Sequence, residues 1–114
     1  MTLLNILNSE SPCVSPKDIN TKKHFFGAFG NTETEVSASY IVWLCQEKGD
    51  WSPFTLMQVE EIYNRAGYTG YTFNQLLTKQ WIIEKNGMFY ITSDFVMRCY
   101  TSSTEIETIH EKVR

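Results

Sequence analysis

A chain of 114 residues, 42% hydrophobic and 14% aromatic, has apolar surface for one core and is too apolar for a disordered segment. Its net charge of −3 argues against a strongly basic nucleic-acid binder, and no repeat or low-complexity run appears. The apolar start (Leu3, Leu4, Ile6, Leu7) lacks a basic n-region and is too short for a signal peptide, and no segment is long enough to span a bilayer, so a cytoplasmic protein with no membrane partner is expected.

Residues 1–31 are expected to form an N-terminal arm. Pro12 and Pro16, with serines around them, deter regular structure, and Lys17, Lys22 and Lys23 supply most of this segment's positive charge. HFFGAFGN, residues 24–31, sets three phenylalanines among two glycines, a large contact area on a bendable backbone. Two readings stand: it packs on its own domain, or Phe25, Phe26 and Phe29 meet a protein partner or a second copy of the chain.

Thr32 with Glu35 matches a capping box, and Glu33 and Glu35 suit the positive end of a helix dipole. Val36, Tyr40, Trp43 and Leu44 make the inward stripe of the helix, with Ile41 and Cys45 widening it, and Gly49 ends it. Trp51 to Phe54 is an extended link able to add a short strand to a later hairpin.

The stretch from Thr55 to Thr92 organises the rest. Thr55 with Gln58 is a capping box that starts a helix at Leu56; Val59, Ile62, Tyr63 and Ala66 form its apolar face, and Gly67 stops it. Thr72 with Gln75 repeats the capping pattern before Phe73, Leu76 and Leu77. Two short helices joined by so short a link, with Gly67 and Gly70 bracketing it, have the pattern of a helix-turn-helix. After Gln80, Trp81 to Ile83 suit a strand, Asn86-Gly87 signals a two-residue hairpin turn, and Met88 to Ile91 resume the strand. That turn sets Lys85 opposite Met88, Ile83 opposite Tyr90 and Ile82 opposite Ile91. Both faces of the hairpin carry apolar residues, and which one is buried stays open.

Beyond it, Thr92, Ser93 and Asp94 offer caps for a helix carrying Phe95, Val96, Cys99 and Tyr100. Residues 101–114 read as a C-terminal helical tail with a narrow seam of Ile106, Ile109 and Val113. The seam either packs back on the first helix or pairs with a second copy, and a homodimer is expected on the second reading.

Cys13, Cys45 and Cys99 lack the paired spacing of a zinc or redox site, and His24 and His110 sit in no ligand pattern. Unpaired thiols, no metal and no cofactor are expected. With no phosphate-binding glycine loop and no nucleophile beside a base in a known motif, an enzyme is not expected. Charge is uneven: residues 33–50 carry four acids and one base, whereas residues 69–100 carry Lys79, Lys85 and Arg98 against Glu84 and Asp94.

The order helix, extended link, helix, turn, helix, hairpin, helix resembles the winged-helix superfamily over about residues 33 to 100. Leu76-Leu77, then Trp81-Ile82-Ile83, then Tyr90-Ile91-Thr92 look like its passage from recognition helix into wing. The resemblance implies a mainly α fold with a small β-hairpin (α+β): a winged helix-turn-helix over 32–100, with the N-terminal arm and C-terminal helical extension outside it. Its core is expected to hold Val36, Tyr40, Leu44, Val59, Ile62, Leu76, Leu77, Ile82, Ile91 and Phe95. Carried over, the groove-facing residues are Tyr71, Thr72, Asn74, Gln75, Thr78 and Lys79, with Lys85 on the wing and Arg65 nearby for phosphates. The implied function is double-stranded DNA binding in a small transcriptional regulator. The alternative is a protein-interaction or assembly module on the same fold, since the face offers few cations and Glu84 opposes them.

Overall fold

The computed structural model describes residues 14–19 and 28–101. Phe25, Phe26, Ile106, Ile109, Val113, Cys13 and both histidines lie outside the described residues. The described fold is mainly helical with one small antiparallel sheet, an α+β arrangement.

Helix α1 spans Thr32–Lys48 and runs through the core. Its N-cap is Asn31, whose side chain accepts a 2.9 Å hydrogen bond from the Thr34 amide, so the expected Thr32–Glu35 capping box does not form and Thr32 is already helical. Asn caps at least as well as Thr, and Gly30, at φ 98°, turns the chain one residue sooner. The inward stripe is also rotated from the expected one. Ala38, Ile41, Val42 and Cys45, at successive helical spacings, are fully buried, while Val36, Tyr40 and Trp43 are half-buried. Helix α2 (Leu56–Ala66), helix α3 (Phe73–Thr78) and a 3₁₀ turn (Pro16–Asp18) all pack on α1, so little of its circumference is left to water. Small residues form the close approach: Ser37 is buried and its hydroxyl bonds that of Tyr63.

The capping box of α2 forms as expected. Gln58 N donates to Thr55 Oγ1 at 3.2 Å and Thr55 N to Gln58 Oε1 at 2.9 Å. Gly67, at φ 68°, ends the helix, and the Tyr68 amide reaches back 2.9 Å to the Tyr63 carbonyl. The second expected box, Thr72 with Gln75, is absent. Thr72 has helical angles (φ −68°, ψ −12°) and its hydroxyl bonds the Tyr68 hydroxyl. The amides of Asn74 and Gln75 instead find the Tyr71 and Thr72 carbonyls, both at 3.0 Å. Helix α3 buries Phe73 and Leu76, and Leu77 only in part. Gln80 closes it in the left-handed conformation (φ 60°), with Trp81 N donating to Leu76 O at 3.0 Å.

Strands β1 (Ile82–Lys85) and β2 (Met88–Ile91) pair in the expected register about Asn86 and Gly87, both at positive φ. Burial resolves the open question of faces: Ile82 and Phe89 point inward, while Ile83 is 43% exposed on the outer side. Phe54 adds a single bridge on the far side of β2, its amide and carbonyl both bonded to Phe89 at 3.0 and 2.8 Å. Thr92 closes the hairpin and opens the next helix, α4, which is helical from residue 93 to 101, where the described residues end. Its hydroxyl donates to Trp81 O at 2.8 Å and accepts from Phe95 N at 3.2 Å. Phe95 and Cys99 of α4 are fully buried, whereas Tyr100 is exposed.

Part of the expected arm belongs to the core. Val14 and Ile19 are buried, Gln46 Nε2 donates to the carbonyls of Pro16 and Ile19 at 2.9 Å each, and Trp51 Nε1 donates to Val14 O at 2.9 Å. Phe29 is buried as well, its ring 5.0 Å from that of Trp81 and 5.2 Å from that of Phe95. At Phe29 the glycine-rich loop therefore packs on its own domain. Of the expected core, Val36, Tyr40, Leu77 and Ile91 are half-buried and the other six are buried.

Candidate nucleic-acid interface

Because Phe73 and Leu76 turn inward, the polar residues between and after them on α3 turn out. Asn74, Gln75 and Thr78 are exposed on this helix and Lys79 at its C-cap, and Lys85 is exposed at the end of β1. Among the described residues their side chains have no hydrogen bond or ion pair within the chain. Thr72 differs: it is half-buried and its hydroxyl is engaged by Tyr68. Tyr71 is 88% exposed.

Most of the other cations in this half are occupied. Arg65, expected to be available for phosphates, forks onto both oxygens of Glu47 at 2.8 Å and lies 4.8 Å over the Trp43 ring. The bond from Arg65 holds the Glu47 carboxyl below its usual range. Arg98 binds Asp94 at 3.2 Å and the Ala28 carbonyl at 2.8 Å while standing 5.0 Å over Trp81. Lys48 donates to Asp50 O at 3.3 Å. Lys79 and Lys85 are thus the uncommitted cations on the α3 and hairpin face, with Glu84 beside one of them.

The turn before α3 builds a feature that the sequence reading missed. Tyr68 folds over Gly70, where a Cβ would collide with its ring. The ring packs at 5.2 Å on Tyr40 and 5.1 Å on Tyr63, and its hydroxyl donates to Glu33 O at 3.0 Å. Two clefts flank the turn Tyr68 to Tyr71. One, of about 520 Å³, is closed by Glu33, Thr72 and Gln75; the other, of about 360 Å³, by Glu60, Tyr63 and Asn64. The available signal was the pair of tyrosines around Thr69-Gly70, too short a link to hide both rings.

Cys45 and Cys99 are buried free thiols. Burial pushes the Cys45 thiol up to about 12 and raises that of Cys99 too, which keeps both protonated and poor nucleophiles. Among the described residues no group of three or more His, Cys, Asp or Glu side chains is placed to hold a metal ion, and no helix is long and apolar enough to cross a membrane. Comparison with protein-family models, with curated proteins and with solved structures finds no match to this chain.

Proposed function

We propose that the chain is a winged-helix DNA-binding module of a small transcriptional regulator, with α2 and α3 as its helix-turn-helix and the β1–β2 hairpin as its wing. The order of elements and the Phe54 bridge beside β2, which gives the wing a third, minimal strand, support this reading. The observation that carries it is the solvent face of α3 and its C-cap, where Asn74, Gln75, Thr78 and Lys79 are exposed together with no partner among the described residues. Asn and Gln side chains match the adenine edge, Thr meets a thymine methyl or a phosphate, and Lys79 with Lys85 reaches phosphates. Two copies related by a two-fold axis would present two such helices to a palindromic site.

A gel-shift titration with mixed duplex at low salt tests the reading. Retention is expected, with affinity falling on a shallow salt slope that reflects about two to four phosphate contacts per subunit. Lys79→Glu should weaken binding to every sequence, and Asn74→Ala should cost about 1–3 kcal/mol at one base pair. A second reading, a protein-docking module, is favoured by the engagement of Arg65 and Arg98 in structural contacts and by the exposure of Tyr71. Absence of any shift at tens of micromolar protein places it ahead.

A further inference from the structure

Tyr71 stands between two clefts whose lining, among the described residues, holds one carboxylate each and no cation. Glu33 lines one and Glu60 the other, both side chains are exposed, and neither takes part in an ion pair or hydrogen bond among the described residues. The floor between them is aromatic and braced, since Tyr68 is held by ring contacts on two sides and by its hydroxyl bond to the Glu33 carbonyl. Gly70 lets that ring lie flat along the turn. An aromatic surface flanked by unpaired acids attracts cations and repels phosphates, because the ring face and the carboxylates are negative together. Of the protein cations, the guanidinium fits best: it is planar, stacks on a tyrosine face and still has N–H donors in its plane for a carboxylate.

We propose that the two clefts around Tyr71 dock an arginine-bearing segment of a partner protein, with one guanidinium stacked on Tyr71 and its neighbours paired to Glu33 and Glu60. The site lies at the start of α3, away from Lys79 and Lys85, and shares Gln75 with the face proposed for DNA, so a docked segment and a duplex would compete there.

The test uses the full chain and a peptide alternating glycine and arginine, with lysine and citrulline versions of the same length as comparisons. Amide shift mapping should show residues 68–72 and 33 moving, with the arginine peptide ahead of lysine and citrulline without effect. Tyr71→Ala should weaken binding roughly two- to fivefold, as loss of an exposed cation–π contact implies. Glu33→Gln combined with Glu60→Gln should weaken it by a similar factor and flatten its salt dependence. All three side chains are exposed, so the variants keep the fold, which unmoved amides in α1 beyond its first two turns, residues 39–48, verify. Equal binding of the lysine or citrulline peptide, equal binding by the variants, or shifts elsewhere on the surface would each overturn the proposal.

Discussion

Replacing Leu76 and Leu77 separately by alanine tests the orientation of α3, on which the exposure of Asn74, Gln75, Thr78 and Lys79 depends. Leu76 has no exposed surface, whereas Leu77 lies at the margin of the core. Helix α3 packs on α1 and β1, and both neighbours are fixed by further contacts, so the space left by Leu76 cannot close. Leu76→Ala therefore belongs in the upper part of the range for buried leucines, about 3–5 kcal/mol. Leu77 keeps some of its side chain in water in the folded state and should cost about 1–2 kcal/mol on truncation. A difference of about 2 kcal/mol separates the two melting temperatures by roughly 6–12 °C in a domain of this size. Urea titration followed by circular dichroism measures both, with unchanged m-values showing that the unfolded states are comparable. Neighbouring positions on a helix lie about 100° apart. A Leu77→Ala loss equal to or larger than that of Leu76→Ala would rotate α3 and refute the assignment of its outer face.

Three further outcomes are expected. Asn31→Ala should destabilise the domain by about 0.5–2 kcal/mol and Thr32→Ala hardly at all; the reverse order in thermal melts would restore Thr32 as the cap of α1. Burial raises the thiols of Cys45 and Cys99 above the ordinary value of 9.0, so the folded chain keeps protons that the unfolded chain has lost. Stability should be full below that value and fall above it, by about 1.4 kcal/mol per pH unit for each thiol, until Cys45 titrates in the fold near 12. A urea midpoint that stays flat between about pH 8 and pH 10.5 counts against this burial. Sedimentation of the full chain against a chain ending at Tyr100 checks the proposed homodimer: loss of the dimer on truncation supports the Ile106, Ile109 and Val113 seam, and a monomer in both removes it.

What could be read from the sequence was mostly local. The Thr55–Gln58 box, the glycine stops at Gly49 and Gly67, and the Asn86-Gly87 hairpin depend on backbone chemistry within a few residues, and all four stand in the fold. Periodicity failed where the helix is nearly surrounded. In α1 the polar Thr34, Ser37 and Ser39 are buried beside Ile41 and Val42, so weighting the large aromatic residues picked a stripe turned toward Tyr40 and Trp43. The aromatics lie at the rim, where their partners are distant in sequence: Tyr40 meets Tyr63 and Tyr68, and Trp43 meets Arg65. No local pattern reports such pairs. The same limit explains Thr72, whose spacing to Gln75 fits a cap but whose hydroxyl is taken by Tyr68, and Gln80, which adopts a left-handed conformation that the residue type does not advertise. The outer face of α3 was legible because it follows from the inner one; the clefts around Tyr71 were not, because they arise from how the turn folds back on α1.

The fate of the arginines decides how the proposed DNA face would work. Arg65 and Arg98 each stack on a tryptophan and pair with an acid, so they hold α2 to α1 and α4 to the base of the hairpin and are not spare for phosphates. Among the described residues that leaves Lys79 and Lys85 on this face, and two cations release few counterions. Sequence-independent affinity must then be low, and most of the binding energy has to come from Asn74, Gln75 and Thr78 at base edges, about 1–3 kcal/mol for each good bidentate contact. One copy with so little electrostatic hold discriminates but dissociates readily. Two joined copies bind the second half-site at an effective concentration set by their linkage, which multiplies affinity without any new contact. Occupancy of DNA by this face would therefore follow the assembly state of the protein more steeply than it follows salt, the opposite of a basic winged helix.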